Sequence, residues 1–328
     1  RYGGCLRRSQ RCSAPHTVRA APTPRSSPVT ENAVEARGLV KRYGPFTAVD
    51  GIGFAVREGE CFGFLGPNGA GKSTTIKMIS CLSPVSGGSL RVAGLDPRTD
   101  ARRIKSQLGV VPQEDNLDED LPVRKNLEVY ARYYGLSKAV ADARIDDALA
   151  LFQLTEKAGS KIGDLSGGMK RRLVIARSLV SEPRILVLDE PTTGLDPQAR
   201  HLVWQQLRLL KARGVTMLMT THYMDEAAHL CDRLVIMHRG QILTEGPPHE
   251  LIARHAGDLV LELRVPAAER AALLAEVAGV EGVAVEEVED IAYVFGAGDA
   301  ARRVADRAGH PRLAFLRPGN LEDVFLRL

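Results

Sequence analysis

Residues 66–75 read GPNGAGKSTT and directly follow the apolar run CFGFL of 61–65. Three glycines and a proline after a buried strand require a backbone that turns sharply and admits conformations a side chain would block. The stretch fits G-x-x-x-x-G-K-[ST] through Gly66, Gly71, Lys72 and Ser73, the loop whose successive N–H groups point inward around a polyphosphate. A helix predicted from Lys72 to Ser80 adds the positive end of its dipole. The expected nucleotide-binding residues are therefore Gly66, Pro67, Asn68, Gly69, Ala70, Gly71, Lys72, Ser73 and Thr74. Lys72 is expected to reach the β- and γ-phosphates and the Ser73 hydroxyl to ligate Mg²⁺.

RILVLDE (184–190) reads as a fully buried strand with two acids at its end. Asp189 is placed to hold Mg²⁺, directly or through water, and Glu190 is the candidate general base for an attacking water. A lone DE at a strand end is commonly a solvated acid pair. Here a phosphate loop makes that reading weak. The two motifs together indicate a P-loop nucleotide hydrolase, a fold that also serves kinases, GTPases and helicases.

DLSGGMKRR (164–172) places Ser166, Gly167 and Gly168 directly before a helix predicted to run to about Val180. It is a second anion cradle of backbone N–H groups, although SGG before a helix is more often a simple cap. One nucleotide cannot fill two such cradles in one chain. A dimer resolves this, with one chain's cradle meeting the nucleotide held by the other.

With these motifs the chain resembles an ABC ATPase over about residues 34–250. Gln113 in VVPQ resembles that family's glutamine loop, which senses Mg²⁺ and contacts the membrane subunit, and LSGGM resembles its signature motif. GLDP, with Asp196, resembles the D-loop that couples the two sites. His222 in TTH resembles the switch histidine that holds the γ-phosphate and water, and Tyr43 in VKRYG the aromatic that stacks on adenine. The resemblance implies ATP and Mg²⁺ as cofactors, a homodimer of ATPase subunits and a separate membrane-spanning permease at the cytoplasmic face of a membrane. VVPQEDNLDEDLPVRKNLEVYARYYG, THYMDEAAHLCDRL and NLEDVFLRL are similar to the stand-alone ATPases of bacterial type-2 exporters, whose cargoes include antibiotics such as daunorubicin, polysaccharides and lipids. DNLD, PQARHLVW and CDRL most resemble members that export rhizobial nodulation factors, which are acylated chito-oligosaccharides.

The rest of the chain fits an α/β architecture with a largely parallel sheet. Residues 34–64 read as short strands with turns at Gly44-Pro45 and Glu58-Gly59, and 113–180 as a helical subdomain. VTMLMTT (215–221) and RLVIMHRG (233–240) read as further strands. After Pro247-Pro248 the composition shifts, and 258–328 follows the order βαββαβα of a small ferredoxin-like α+β module without a nucleotide motif. Its two readings are a dimer-supporting or capping module and a regulatory ligand-binding domain.

Residues 1–33 read as a disordered basic extension. Residues 1–30 hold six arginines and no acid, so of the formal charge of +4 the remaining body keeps 38 basic against 40 acidic residues. That balance disfavours nucleic acid as a partner. The acid-free leader also fits an organelle transit peptide, and the absence of an initial methionine leaves an artefact at the start open. Five scattered cysteines without a CxxC argue against a disulfide framework or zinc site. No run approaches the roughly 18 apolar residues of a membrane-spanning helix. A competing reading is a soluble ABC ATPase of translation or DNA repair. Such translation factors carry two ATPase domains per chain, and repair ATPases carry a coiled coil or zinc modules. Neither feature is visible in this sequence.

Overall fold

The computed structural model describes residues 32–264, 275, 277, 280, 282–296, 300–308 and 314–328. Residues 1–31 of the basic extension, and most of the first helix expected in the C-terminal module, lie outside the described residues; Asn32 and Ala33, expected in the extension, begin a strand instead, with Ala33 buried in the core.

A six-stranded sheet organises the nucleotide-binding motifs. Its strands are β3 (Cys61–Leu65), β5 (Leu108–Val111), β6 (Ile185–Asp189), β7 (Thr216–Thr221), β8 (Arg233–His238) and β9 (Gln241–Gly246), in the order β5-β6-β7-β3-β8-β9. All neighbours are parallel except β8 and β9. Every residue of β3, β6 and β7 is buried, which explains their unbroken apolar reading. Alternation is still present. Phe62 and Phe64 enter one core with Ile185 and Val187, while Cys61, Leu65, Leu186 and Leu188 enter the other. Each fully buried large side chain contributes about 1.5–3 kcal/mol.

The first core is closed by a three-stranded antiparallel sheet of β1 (Asn32–Tyr43), β2 (Phe46–Arg57) and β4 (Gly87–Val92), with α1 (Lys72–Ile79) and α2 (Ala101–Lys105). Phe54 and Phe64 meet edge to face, 5.1 Å between centroids. β1 and β2 are twelve residues each, longer than the short strands expected. Register shifts at four places in the pair break the period-two pattern by which a long strand is read.

Helices α3 (Val123–Tyr133), α4 (Lys138–Leu151), α5 (Gly167–Leu179), α6 (Pro197–Ala212), α7 (Met224–Leu230) and α8 (Pro248–His255) supply the second core. The Pro247-Pro248 pair opens a helix: Pro247 is the N-cap and Pro248 the first helical residue of α8, where a missing N–H costs nothing.

Strands β10 (Leu259–Arg264), β11 (Val283–Val288), β12 (Ile291–Gly296) and β13 (Ala314–Pro318) form an antiparallel sheet in the order β11-β12-β10-β13. Helix α9 (Ala300–Ala308) lies between β12 and β13 in the chain, and α10 (Leu321–Leu326) follows β13. Leu261, Leu263, Ala292, Val294, Ala301 and Val304 build its own core. Val260, Phe295, Leu321 and Val324 join the larger core instead. Arg317 donates to both carboxylate oxygens of the buried Asp323, at 2.6 and 2.7 Å, and Asp323 completes a capping box with Asn320.

Candidate nucleotide site

The carboxyl ends of β3, β6 and β7, three adjacent strands, carry the phosphate loop, the Asp189-Glu190 pair and the His222 segment. In open α/β sheets this edge is where ligands bind. Gly66 leaves β3 with φ 155° and Gly71 enters α1 with φ 104°. A β-carbon at Gly71 would meet the Ala48 carbonyl oxygen at 2.6 Å, and one at Gly66 would strike the Met237 carbonyl. Glycine is therefore required by space as well as by dihedral angle.

Lys72 Nζ folds back over this loop and donates to the carbonyls of Gly66 (2.7 Å) and Pro67 (3.1 Å). It stands 4.0 Å from Glu190 Oε1. Burial lowers the Lys72 pKa, while the charges of Glu190 and Asp189 raise it again. An anion at the loop would favour the charged form further. The Ser73 hydroxyl donates to Asp189 Oδ1 at 3.0 Å, and the Thr220 hydroxyl donates to the same oxygen.

Ser73 and Asp189 thus offer two hard oxygen donors side by side. No group of three or more His, Cys, Asp or Glu that could hold a metal exists among the described residues. The pair fits Mg²⁺, which keeps several waters and takes phosphate oxygens beside one or two protein ligands.

Glu190 is the most enclosed acid of the site, 6% exposed, and four side chains converge on it. Gln113 Nε2 donates to Oε2 at 3.3 Å and the Thr193 hydroxyl at 3.1 Å. Lys72 and His222 Nδ1 face Oε1, the latter at 3.4 Å. That imidazole nitrogen is buried and makes no hydrogen bond. Glu190 has φ 47°, a left-handed conformation that costs a residue with a side chain about 1–3 kcal/mol. Its N–H is held by the Thr220 hydroxyl (3.0 Å) and carbonyl (3.2 Å).

Arg171, which sequence reasoning passed over, clamps the same turn from the other side. Its buried guanidinium donates to the carbonyls of Asp189 and Glu190 (3.1 Å each) and Pro191 (2.6 Å). It also reaches the carbonyls of Pro112 (2.6 Å) and Gln113 (3.3 Å) and the Asp115 carboxylate (3.4 Å). One side chain of the LSGGMKRR stretch therefore ties the glutamine segment to the acidic strand end. Burial lowers its pKa, and Asp115 acts against that. Its signal was a basic residue in an otherwise apolar stripe of α5. Thr220 was legible only as the polar end of VTMLMTT.

A cavity of about 390 Å³ lies at this site, lined by Tyr43, Phe46, Ala48, Asn68 to Thr74, Gln113 and Glu190, with Asp189 and His222 outside its lining. Tyr43 and Phe46 are exposed, and Lys41 Nζ lies 4.7 Å from the Tyr43 ring centroid. Phe46 was also missed. Its signal is a second aromatic just past the Gly44-Pro45 turn.

Ser166, Gly167, Gly168 and Asp196 do not line this cavity. Ser166 is the N-cap of α5, accepting from the Met169 N–H at 3.3 Å, and Asp196 is the N-cap of α6, accepting from the Ala199 N–H at 2.9 Å. The two helix starts touch closely: a β-carbon on Gly168 would lie 2.7 Å from that of Ala199.

The family model described as ABC transporter matches residues 49–193. The chain is 48% identical over 297 residues to the Nod factor export ATP-binding protein I of Burkholderia orbicola, covering 90% of this chain and 96% of that protein. It is 44% identical over 296 residues to the protein of the same name from a Rhizobium species, again covering 90% and 96%. Among solved structures, CbiO1 of Clostridium perfringens, described as part of an ABC transporter complex, matches with a TM-score of 0.64 and 28% identity, over 68% of this chain and 91% of that one. A dimeric ATP-binding cassette with ADP and phosphate matches with a TM-score of 0.60 and 26% identity, over 65% and 98%.

Proposed function

The chain belongs to the ABC transporter family and is an ABC ATPase, and from that premise we propose that it powers export through a separate membrane-spanning subunit. Two copies close on two ATP molecules, and hydrolysis reopens them. The cargo we favour is a nodulation factor, an acylated chito-oligosaccharide, because relatives at 44–48% identity over nine-tenths of the chain carry that export function in their names. Among the described residues no helix is long and apolar enough to cross a membrane, which supports a peripheral subunit working on another chain's spans. We place it at the cytoplasmic face. Residues 34–250 form the ATPase body in this reading, with the helical subdomain at about 113–180, and 258–328 form an accessory module.

The single observation behind the catalytic reading is the convergence on Glu190. Adenine stacks on Tyr43. The N–H groups of Gly69 to Thr74 and the ammonium of Lys72 hold the phosphates, Lys72 leaving its loop carbonyls to do so. Ser73, Gln113 and Asp189 would hold Mg²⁺, which would supply charge neutralisation at the phosphates. Gln113 and His222 orient the attacking water, and its proton passes to a Glu190 carboxylate oxygen. The protein contributes position and fixed charge, which dominate phosphoryl transfer. Ser166, Gly167 and Gly168 of one copy cap the γ-phosphate held by the other, and Asp196 links the two sites.

Lys72→Ala tests the cradle: ATP hydrolysis is expected to vanish and nucleotide binding to weaken, and near-normal turnover would remove it. Capture of a six-span membrane protein from solubilised membranes tests the transport role. Co-purification with ribosomes or DNA alone would favour the non-transport reading.

A further inference from the structure

Glu226 on α7 is fully buried, yet no step above uses it. Its Oε1 accepts from the Thr192 hydroxyl at 2.6 Å and from the Trp204 indole N–H at 3.2 Å. Thr192 and Trp204 are themselves 0% and 3% exposed. The three residues come from three segments. Thr192 lies two positions after the base Glu190, Trp204 lies on the helix that Asp196 caps, and Glu226 lies four positions after His222. A buried carboxylate costs free energy unless its bonds return it, and an aliphatic side chain would fill the same space more cheaply for stability alone.

We propose that Glu226 is a positioning residue for ATP hydrolysis, a single acceptor that holds the segment behind Glu190, the D-loop helix and the segment behind His222 in one register. The proposal rests on the ATPase reading and adds a residue to it. Thr192 shares its backbone with the strained Glu190 turn, so a shift there moves the base. The same carboxyl sets α7, which directly follows His222 and Tyr223. The base and the switch histidine, 3.4 Å apart, are thereby referenced to one atom. Burial raises the Glu226 pKa, while the hydrogen bonds from Thr192 and Trp204, the nearby Thr221 hydroxyl and the Arg200 charge pull it back; Oε2 is buried without a hydrogen-bond partner.

Trp204 is the only tryptophan of the chain, so its fluorescence reports on this junction. In the full chain, Glu226→Ala is expected to lower kcat by about 10- to 100-fold, with KM for ATP changing less than about threefold. Glu226→Gln keeps an acceptor oxygen and should recover at least about a third of kcat. Thr192→Val should lower kcat at least about fivefold, and the double variant Thr192→Val/Glu226→Ala should be no slower than Glu226→Ala alone. A change in Trp204 emission on adding MgATP is expected in the wild type and should be lost in Glu226→Ala. A Glu226→Ala protein that melts cooperatively, binds ATP and turns over at the wild-type rate would overturn the proposal, as would a Glu226→Gln protein as slow as Glu226→Ala. If Glu226→Ala does not fold, Thr192→Val decides, and an unchanged kcat there overturns it. A wild-type chain that binds ATP without hydrolysing it would instead overturn the ATPase reading itself.

Discussion

The phosphate-loop side of the molecule and the Ser166–Asp196 side are built on opposite plans. On the first, Lys72, Asp189 and Glu190 are all less than 10% exposed; Asp189 and Glu190 are paired with side chains from distant segments, and Lys72, bonded to its own loop, faces Glu190. On the second, Ser166 and Asp196 are exposed, and their hydrogen bonds go to the starts of their own helices. A densely paired site already holds its groups in place. Exposed helix starts, with N–H groups and dipole ends facing outward, are suited to a charge brought from elsewhere. On the proposed reading these are the two halves of one site, which a second copy would join.

Glu190→Gln breaks the first half alone. The amide cannot accept the water's proton, so turnover should fall roughly 10²- to 10⁴-fold, while Lys72, Ser73 and Asp189 still bind MgATP. Unhydrolysed ATP should then hold two chains together, and light scattering should find a dimer with ATP and a monomer with ADP. Adding Ser166→Arg, which loads the exposed half, should return the ATP form to monomer. A monomeric Glu190→Gln protein at saturating ATP, with the membrane subunit also present, would end the two-half comparison.

Tyr43→Ala probes the outer end of the cavity. Base–aromatic stacking is worth about 1–3 kcal/mol, so the ATP dissociation constant measured by calorimetry should rise accordingly. The maximal rate should change little, since stacking holds the base and not the reacting phosphate. Unchanged affinity would remove Tyr43 from the site.

Asp196→Ala sharpens the second half. Loss of the cap on α6 should cost about 0.5–2 kcal/mol in urea unfolding. ATP binding to the isolated monomer should be unaffected, because Asp196 does not line the cavity. A large loss of monomer affinity would show that the halves are not separate.

The smallest expected effect is one of pH. The folded state lowers the Lys72 pKa, so the unfolded chain binds more protons in the window between the depressed value and the ordinary lysine value. In that alkaline window stability should rise with pH, and below it the full cost of the buried charge is present. Replacing Lys72 with Met should flatten this slope in denaturation curves, and saturating ATP should reduce it in the wild type. An identical slope in the Met variant would assign it to other groups.

What could be read in advance was whatever a contiguous segment must do by itself. GPNGAGKS has to wrap close to neighbouring backbone, and the space around Gly66 and Gly71 enforces it. CFGFL, the ILVLD of RILVLDE and the TMLMTT of VTMLMTT are buried on both faces, and their apolar runs say so. Even the exposed helix start at Ser166 is local, since a cap is satisfied within one turn. The register shifts that hid the length of β1 and β2 were not legible, because a bulge is a property of two paired strands.

Tertiary structure alone decided which distant atoms meet. Ser73 and Asp189 are 116 positions apart, Gln113 and Glu190 are 77, and Arg171 reaches back 59 to Pro112. Arg171, Thr220 and Glu226 look like an ordinary basic, polar and acidic residue in the sequence. Their meaning comes from burial, where a charge or hydroxyl must find partners, and those partners are carried in by strands and helices folded from far along the chain.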